Sequence, residues 1–318
     1  MPEEDVILDR MHEVFNEDLG EHQLINENFD NLYHYTSIQG LEGIVTYGCF
    51  WVTHVKFMND SSENSYFWGV LKEVIDDFAK MHPENSVRKG FVAELNKVMD
   101  IHTKVMNVIN HYVLSFSTQS DSLSMWNYYG KNDGYCLGFS KNEIIEVMNK
   151  LNDDKNVDLV LTAQVIYDKE VQVNILRNEL ENVYKWFLEN KDNNQWKDIN
   201  NRAFSRGIAS YAIERFATYA SFFKHPAFRD EGEFRVYIRQ TMFDNPANYR
   251  PYQGIIIPYI KVNIKKNNEE IPLESINVGP LIKHDLAVEG LERWLSTQSL
   301  TKPIDEIKLT QSNIPIRF

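Results

Sequence analysis

Two hydrophobic periods run through the 318-residue chain. Apolar residues alternate with polar ones, or form short apolar runs, over 31–35, 111–117 and 233–238, which is typical of strands. Over 64–110 and 170–223 they recur at helical spacing, which predicts helices with one buried face. Because the two kinds of element do not alternate regularly, the pattern favours an α+β fold with a mixed sheet and helical insertions over a doubly wound parallel sheet.

Further strands and helices are predicted between these segments. The first helix begins after Thr36 and Ser37, whose hydroxyls can accept a hydrogen bond from a free backbone N–H, and Gly48 ends it. The other predicted strands are residues 50–55, 135–139, 159–167, 254–258 and 276–279, and the other predicted helices are 120–129, 141–152 and 284–296.

The pattern predicts a single domain over residues 31–318, with the helical insertions near 64–110 and 170–223. Residues 1–30 are predicted to form a polar helix or an arm. The sequence contains no internal repeat and no convincing linker.

Composition and charge narrow the classes of protein. The net charge of −13 is opposite in sign to that of a protein that coats nucleic acid nonspecifically. No apolar run approaches the roughly 20 residues that cross a bilayer, and the acidic N-terminus lacks the pattern of a signal peptide. The two cysteines, Cys49 and Cys136, exclude a four-cysteine zinc site and argue against a disulfide framework. We expect a cytoplasmic protein with no membrane partner and no metal site.

Candidate chemistry lies in three short segments, of which the first is Leu32–Ser37. On a strand, His34 points away from Tyr33 and Tyr35, since side chains alternate between the two faces. Beside a helix start, His34 can contact a ligand hydroxyl while free backbone N–H groups receive an anion. A core histidine with a satisfied ring explains the same residue without a ligand.

The second segment is Leu114–Ser120, whose hydroxyls can orient a carboxylate or bind ribose. Trp126, Tyr128 and Tyr129 follow at helical spacing, where one or two of them can stack on a flat ring. The alternative is structural: the serines end a strand and cap a helix, and the aromatic side chains belong to the core.

The third segment is Phe228–Arg235. On one strand, Glu231, Glu233 and Arg235 would share a face, and two neighbouring carboxylates tend to raise the pKa of one of them. Such a pair is a candidate site, although ion pairs with Arg235 explain it as well.

Together with two further blocks, these segments resemble a bacterial family catalogued as domain of unknown function 2971. The resemblance lies in the order of the blocks, which span about residues 31–282. They are Tyr33–Ser37, Met58–Glu63, Ser115–Ser117 with Ser124-x-Trp126-x-x-Tyr129, Lys224–Arg235 and Ile276–Pro280.

The arrangement is also similar to the ADP-ribosyltransferase fold, which implies a split mixed or antiparallel sheet with helical insertions. In that superfamily a first-strand His or Arg contacts a ribose hydroxyl of NAD+, and a second strand supplies a Tyr or a Ser-Thr-Ser element near the nicotinamide. A later strand supplies the catalytic Glu, often as the second acid of an E-x-E pair. The resemblance therefore implies catalysis by Glu233 and Glu231. The residues that it assigns to NAD+ binding are His34, Tyr35, Thr36, Phe116, Ser117, Thr118, Trp126, Tyr129 and Arg235.

The function implied by the resemblance is an ADP-ribosyltransferase or an NAD+ glycohydrolase that consumes NAD+, with a toxin or phage-defence role. The acceptor, whether protein, nucleic acid, small molecule or water, stays open. One alternative is a non-catalytic nucleotide-binding sensor or interaction module. Another is a metal-dependent nuclease using Asp60, Glu63, Glu231 and Glu233. The sequence contains no P-loop, no G-x-G-x-x-G and no G-x-S-x-G motif.

Overall fold

The computed structural model divides the chain into two compact units, one helical and one built on a sheet. Most of the polar helix or arm predicted over 1–30 lies outside the described residues. Within the part of the chain that is described, no helix has both the length and the apolar surface needed to cross a membrane. The described residues are 24–25, 28–58, 62–105, 111–130, 133–196, 199–240, 247–252, 254–266 and 269–315.

The longer helices lie close to the predicted positions. They are α1 (Ile38–Tyr47), α2 (Ser62–Lys80), α3 (Ser86–Val105), α4 (Lys141–Asn149), α5 (Lys169–Asn190), α6 (Asn201–Tyr219) and α7 (His284–Leu295). Short helical turns occupy Val55–Phe57, Leu123–Met125, Trp126–Gly130, Lys150–Asp153, Asn194–Trp196, Pro226–Glu231 and Ile304–Glu306.

The strands form one mixed sheet in the second unit. They are β1 (Asn31–Ser37), β2 (Cys49–His54), β3 (His111–Ser117), β4 (Gly134–Ser140), β5 (Val157–Gln164), β6 (Glu233–Gln240), β7 (Asn248–Tyr252), β8 (Ile255–Asn263), β9 (Leu273–Val278) and β10 (Lys308–Gln311).

The helical unit contains the two predicted insertions, as α2 with α3 and α5 with α6. Its core includes an aromatic cluster in which the rings of Phe91 and Phe187 stack at 5.1 Å. One charged pair is buried among these helices: Nε of Arg215 donates to Glu179 at 2.7 Å, and the Tyr219 hydroxyl donates to the same carboxylate at 2.6 Å. Because both charges are paired and hydrogen-bonded, the group is a structural ion pair of the core.

The sheet consists of three ribbons that meet at β3. One ribbon has the order β10-β9-β4-β1, a second has β5-β6-β3, and a third has β7-β8-β2. The β9–β10 pair is parallel and the other pairs are antiparallel. An α+β fold with a mixed sheet is therefore confirmed. Whether the two units fold as the single domain predicted for 31–318 stays a prediction.

The first and third ribbons both meet β3 along the edge opposite β6, and they open apart between their two contacts with it. Along the described lengths of both strands, β1 pairs with β3 through one residue pair, Tyr33 with Ser117. Near the other end of β3, the pairs Thr53–Val113 and His54–Tyr112 connect it to β2. By contrast, β3 pairs with β6 over its whole length. The middle of β3 is therefore supported by backbone pairing on one edge.

One face of the sheet carries the main core of this unit. Leu32, Leu114, Phe116, Phe234 and Val236 all lie in it and are almost fully buried. Side chains alternate along a strand, so the residues next to them in sequence point to the other face. Each large apolar side chain buried in this way stabilises the fold by about 1.5–3 kcal/mol. The core face thus fixes the direction of every candidate side chain on these strands.

Candidate functional site

Three side chains on neighbouring strands form a row on the face opposite the main core. Tyr33 pairs with Ser117, and Ser117 pairs with Glu233, so the three residues lie side by side on β1, β3 and β6. The row crosses the place where the first two ribbons join. Of its members, Ser117 and Glu233 are predicted site residues. The sequence assigned no role to Tyr33. Its ring packs against Gly138, because a Cβ added to that glycine would lie only 3.2 Å from the ring.

Glu233 is held as one half of a buried ion pair. Its Oε2 lies 2.7 Å from Nε and 2.6 Å from Nη2 of Arg235, and only 2% of the Glu233 residue is exposed. The ion pair with Arg235, which the sequence suggested as a structural explanation, is therefore present. Ser115 on β3 pairs with Arg235 on β6. Its hydroxyl oxygen is buried and has no hydrogen-bond partner among the described residues.

Glu231 does not share the strand face of Glu233, so the predicted pair of carboxylates on one strand is wrong. Glu231 ends the helical turn Pro226–Glu231, and Gly232 has a φ of +52° before the strand begins. A residue in this left-handed conformation breaks the alternation on which the prediction rested. The Glu231 carbonyl accepts a hydrogen bond from the Ser117 hydroxyl at 2.7 Å, and the Gly232 carbonyl accepts one from the Thr118 N–H at 2.8 Å.

His34 lies on the core side of β1, so the structure does not bring it together with Glu233. Its ring packs against Phe50 and Phe116, with centroids 5.0 and 5.8 Å away. Its Nδ1 is 3.1 Å from the Ser115 carbonyl, and because a carbonyl only accepts, Nδ1 carries the proton. Burial lowers the pKa of His34 to about 4, with an opposing contribution from this hydrogen bond.

Phe116 and Thr36 also lie on the core side of their strands. Phe116 is packed between aromatic rings of the main core. Thr36 is two residues after His34 on β1 and so shares its face, and its side chain lies against Gly40 in the first turn of α1. Ser37 caps α1 by accepting from the Gly40 N–H at 3.2 Å, which confirms the predicted helix start. For Thr36 and Phe116 this placement favours packing over ligand contact.

Tyr35 holds the loop that follows β3. Its hydroxyl donates to the Gln119 carbonyl at 2.8 Å and accepts from the Ser122 N–H at 3.0 Å. Burial is the main cause that raises the pKa of Tyr35. The hydroxyl therefore stays protonated and positions the loop.

Trp126 is almost completely enclosed, with 1% of its surface exposed. Its ring packs edge-on against Tyr35 at 4.8 Å, and its Nε1–H donates to Asp121 at 2.7 Å. Asp121 also accepts from the Ser312 hydroxyl at 2.6 Å and from the Asn313 N–H at 3.0 Å. A ring buried on this scale packs inside the fold, whereas stacking on a ligand requires an open face.

The predicted aromatic helix ends in a π-helical turn, Trp126–Gly130. Such turns occur frequently at functional sites, because the wider turn redirects side chains. Here Tyr128 points outward with 58% of its surface exposed, while Tyr129 is partly buried against the small cluster around Tyr35 and Trp126. Tyr128 is thus the aromatic side chain of this turn that a ligand can reach.

An open cleft of about 550 Å³ lies at this turn. Its volume falls within the range of small-molecule sites, roughly 300–1,000 Å³. Two of the residues that line it are acidic and none is Lys or Arg. The lining residues are Gln119, Asp121, Ser122, Leu123, Ser124, Asn127, Tyr128 and Asp230.

Several residues of this region were missed from the sequence. Asn277 of β9 donates to the Ser120 carbonyl at 3.0 Å, and Asp121 links the loop to Ser312. The one available signal for Asn277 was a polar residue inside the apolar block Ile276–Pro280. Asp121 and Ser312 are 191 residues apart in sequence, and no local pattern predicts their contact.

Of the four acidic residues considered for a metal-dependent nuclease, Asp60 lies outside the described residues. Glu63 forms a 3.1 Å ion pair with Lys224 in the helical unit, which joins two of the blocks of the family resemblance. Among the described residues, no three His, Cys, Asp or Glu side chains come together in a geometry that would hold a metal ion.

Comparison with known proteins gives one match. The family described as Protein of unknown function (DUF2971) matches residues 125–236, which run from the residue before the π-helical turn into β6. No curated protein matches the chain. No solved structure matches it either. Residues 125–236 thus match the DUF2971 family, which confirms the predicted resemblance to that family over this segment.

Proposed function

We propose that the protein consumes NAD+, as an ADP-ribosyltransferase or an NAD+ glycohydrolase with an ADP-ribosyltransferase-like fold. The observation that carries the proposal is the row of Tyr33, Ser117 and Glu233 where β1 and β3 join. In the resembling superfamily, a second strand supplies the serine element and a later strand supplies the catalytic Glu. The nearby open cleft supplies a volume suitable for part of a dinucleotide.

Glu233 has the charge that this chemistry requires. Breaking the bond between nicotinamide and ribose builds positive charge on the ribose, and a fixed carboxylate stabilises that charge. The guanidinium of Arg235 holds the Glu233 carboxylate in a fixed position. An acceptor oxygen or nitrogen, or water, then bonds to the ribose carbon and loses a proton, while nicotinamide leaves with the bonding electron pair. Proton acceptance by the Glu231 side chain remains part of the proposal.

In this proposal the cleft receives the nicotinamide end of the dinucleotide. In NAD+ the nicotinamide ring is cationic, and the cleft offers Asp121, Asp230 and the exposed ring of Tyr128. We assign to Tyr128 the nicotinamide stacking that was expected of Trp126 or Tyr129. The diphosphate does not belong among these acidic residues, so the proposal places it outside the cleft.

One observation favours a second candidate, a non-catalytic nucleotide-binding module. Glu233 is nearly inaccessible and already paired with Arg235, so a substrate would have to separate the pair before touching the carboxylate. A module that binds through the cleft alone needs no such change. Tight binding of NAD+ without release of nicotinamide on long incubation identifies this case.

Nicotinamide release by the full chain tests the proposal, with Glu233→Gln, Tyr128→Ala and Tyr47→Ala as variants. Tyr47 is an exposed aromatic residue at the end of α1, away from the cleft lining, and serves as the control. We expect Glu233→Gln to abolish turnover and Tyr128→Ala to raise KM. Turnover that survives Glu233→Gln in folded protein overturns the catalytic assignment.

A toxin or phage-defence role is proposed on the resemblance alone. If it is correct, expression of the wild type arrests bacterial growth, and Glu233→Gln relieves the arrest at equal protein level. Equal growth with both forms would remove this part of the proposal.

A further inference from the structure

The third ribbon, β2-β8-β7, carries a surface that the proposed function does not use. We define its outer face as the side of these strands that points away from the main core. Pairing fixes its members: Trp51 lies opposite Lys261, Thr53 opposite Tyr259, and Tyr252 opposite Ile255. The face extends roughly 20 Å along β8 between the Trp51 and Tyr252 rows, at about 3.3 Å per residue.

Exposed aromatic rings stand at both ends of the outer face. Trp51 is 43% exposed and Tyr252 is 46% exposed. One side of the Trp51 ring stacks on Tyr259, with centroids 4.6 Å apart and an angle of 27° between the planes. This packing holds the indole in a fixed orientation, and a stacking partner can bind to its exposed surface.

Along the outer face, Arg250 lies between Trp51 at one end and Tyr252 at the other. Its guanidinium carbon is 5.8 Å from the centroids of both Trp51 and Tyr259, and its Nη2 donates to the Thr53 hydroxyl at 3.0 Å. Its Nε is buried and has no hydrogen-bond partner in the part of the chain that is described. These contacts fix the guanidinium beside the aromatic rings.

The charge of this ribbon is opposite to that of the whole chain. Residues 43–59 and 245–268, which include all three strands, contain no Asp or Glu, whereas the chain as a whole has a net charge of −13. Lys261 is exposed beside Trp51 and has no ion pair among the residues that the structure describes. An acid-free face with Arg250 and Lys261 is complementary to an anionic partner.

From these observations we propose that the outer face of β2-β8-β7 binds single-stranded nucleic acid. Its bases stack on Trp51 and Tyr252, and its phosphates contact Arg250 and Lys261. Aromatic side chains interleaved with basic ones on a sheet are the combination by which proteins hold unpaired strands without reading their sequence. An acidic protein segment would use the two cations but has no need of flat exposed rings. This inference does not depend on NAD+ chemistry.

Fluorescence anisotropy with a labelled single strand of about 12 nucleotides tests the proposal on the full chain. At about 50 mM salt we expect the wild type to bind the single strand more tightly than a duplex of the same sequence. Trp51→Ala should weaken binding about fivefold or more, as loss of one stacked base does. Lys261→Glu should weaken binding and flatten its salt dependence, because one phosphate contact is lost.

Matched controls come from the same sheet. Tyr249 is 65% exposed and lies on β7 next to Arg250, but points to the opposite face, so Tyr249→Ala should leave binding unchanged. Lys308 is exposed on β10 at another edge of the sheet, so Lys308→Glu controls for net charge. Circular dichroism and thermal denaturation check that each variant is folded.

Three results would overturn the proposal. They are absence of binding at about 50 mM salt, equal affinity for duplex and single strand, and equal competition by an acidic polyglutamate peptide. The last result would identify the outer face as a surface for acidic proteins.

Discussion

Arg235 directs two nitrogen atoms, Nε at 2.7 Å and Nη2 at 2.6 Å, to a single carboxylate oxygen of Glu233. Both residues are almost completely buried, and they are two positions apart on β6. The pair thus links the residue with the proposed catalytic role to the packing of the sheet. Substitutions there alter both stability and activity, and the two effects must be measured separately.

Glu233→Gln should lower the free energy of unfolding by about 3–5 kcal/mol, because it leaves the Arg235 charge buried without its counter-ion. The double variant Glu233→Gln with Arg235→Gln should recover part of that loss, since no unpaired charge remains. Urea denaturation followed by circular dichroism measures both. If the single variant is as stable as the wild type, the ion pair does not hold this end of β6.

His34 should make stability depend on pH. Its pKa is lowered to about 4 in the folded protein, against about 6.5 in the unfolded chain, so the unfolded state binds more protons between these values. The stability is fully present above pH 6.5 and decreases as the pH falls towards 4, by at most about 3 kcal/mol. His34→Gln should remove this part of the pH dependence of urea denaturation. An unchanged profile would show that His34 titrates normally.

Tyr35→Phe should lower the free energy of unfolding by about 1–3 kcal/mol, because the Gln119 carbonyl and the Ser122 N–H both lose their partner. Ligand binding in the neighbouring cleft should weaken as well, since Gln119 and Ser122 both line it. Tyr128→Phe is the control, as the Tyr128 side chain is largely exposed, and it should change stability by less than about 0.5 kcal/mol. Equal effects of the two variants would contradict the positioning role of Tyr35.

Gly232→Ala should destabilise the fold by more than Gly254→Ala. Both glycines have positive φ, +52° and +84°, so both substitutions strain the backbone. At Gly232 the new Cβ would also lie 2.8 Å from the Thr118 hydroxyl, whereas the space around Gly254 is open. The difference between the two losses, measured by thermal denaturation, isolates the steric contribution at Thr118. Equal losses would show that Thr118 moves aside without cost.

Local patterns predicted most of the elements because each pattern depends on neighbouring residues. The strand over 111–117 and the helix that Gly48 ends are confirmed closely. Two strands were missed: β7 contains Pro251, which is typical of an edge strand, and β10 is only four residues long.

The candidate site was harder to predict, because it depends on which face each side chain occupies. Alternation correctly separated His34 from Tyr35, but the sequence does not tell which of the two faces the core. The left-handed Gly232 moved Glu231 off the strand, and a lone glycine carries no sign of its φ. Contacts such as Asp121 with Ser312 join distant parts of the chain, and one sequence contains no record of them.

The strand order has a practical consequence for the segment that matches DUF2971. Residues 125–236 include β4 and β5 and the start of β6, but exclude β1, β3 and β9. In the sheet, β4 is flanked by β1 and β9, and β6 is flanked by β3 and β5. A fragment cut at the matched boundaries would therefore expose unpaired strand edges, which favour aggregation. Expression trials should begin from a chain that keeps at least residues 24–315, since Leu24 and Ile25 pack against the helical core.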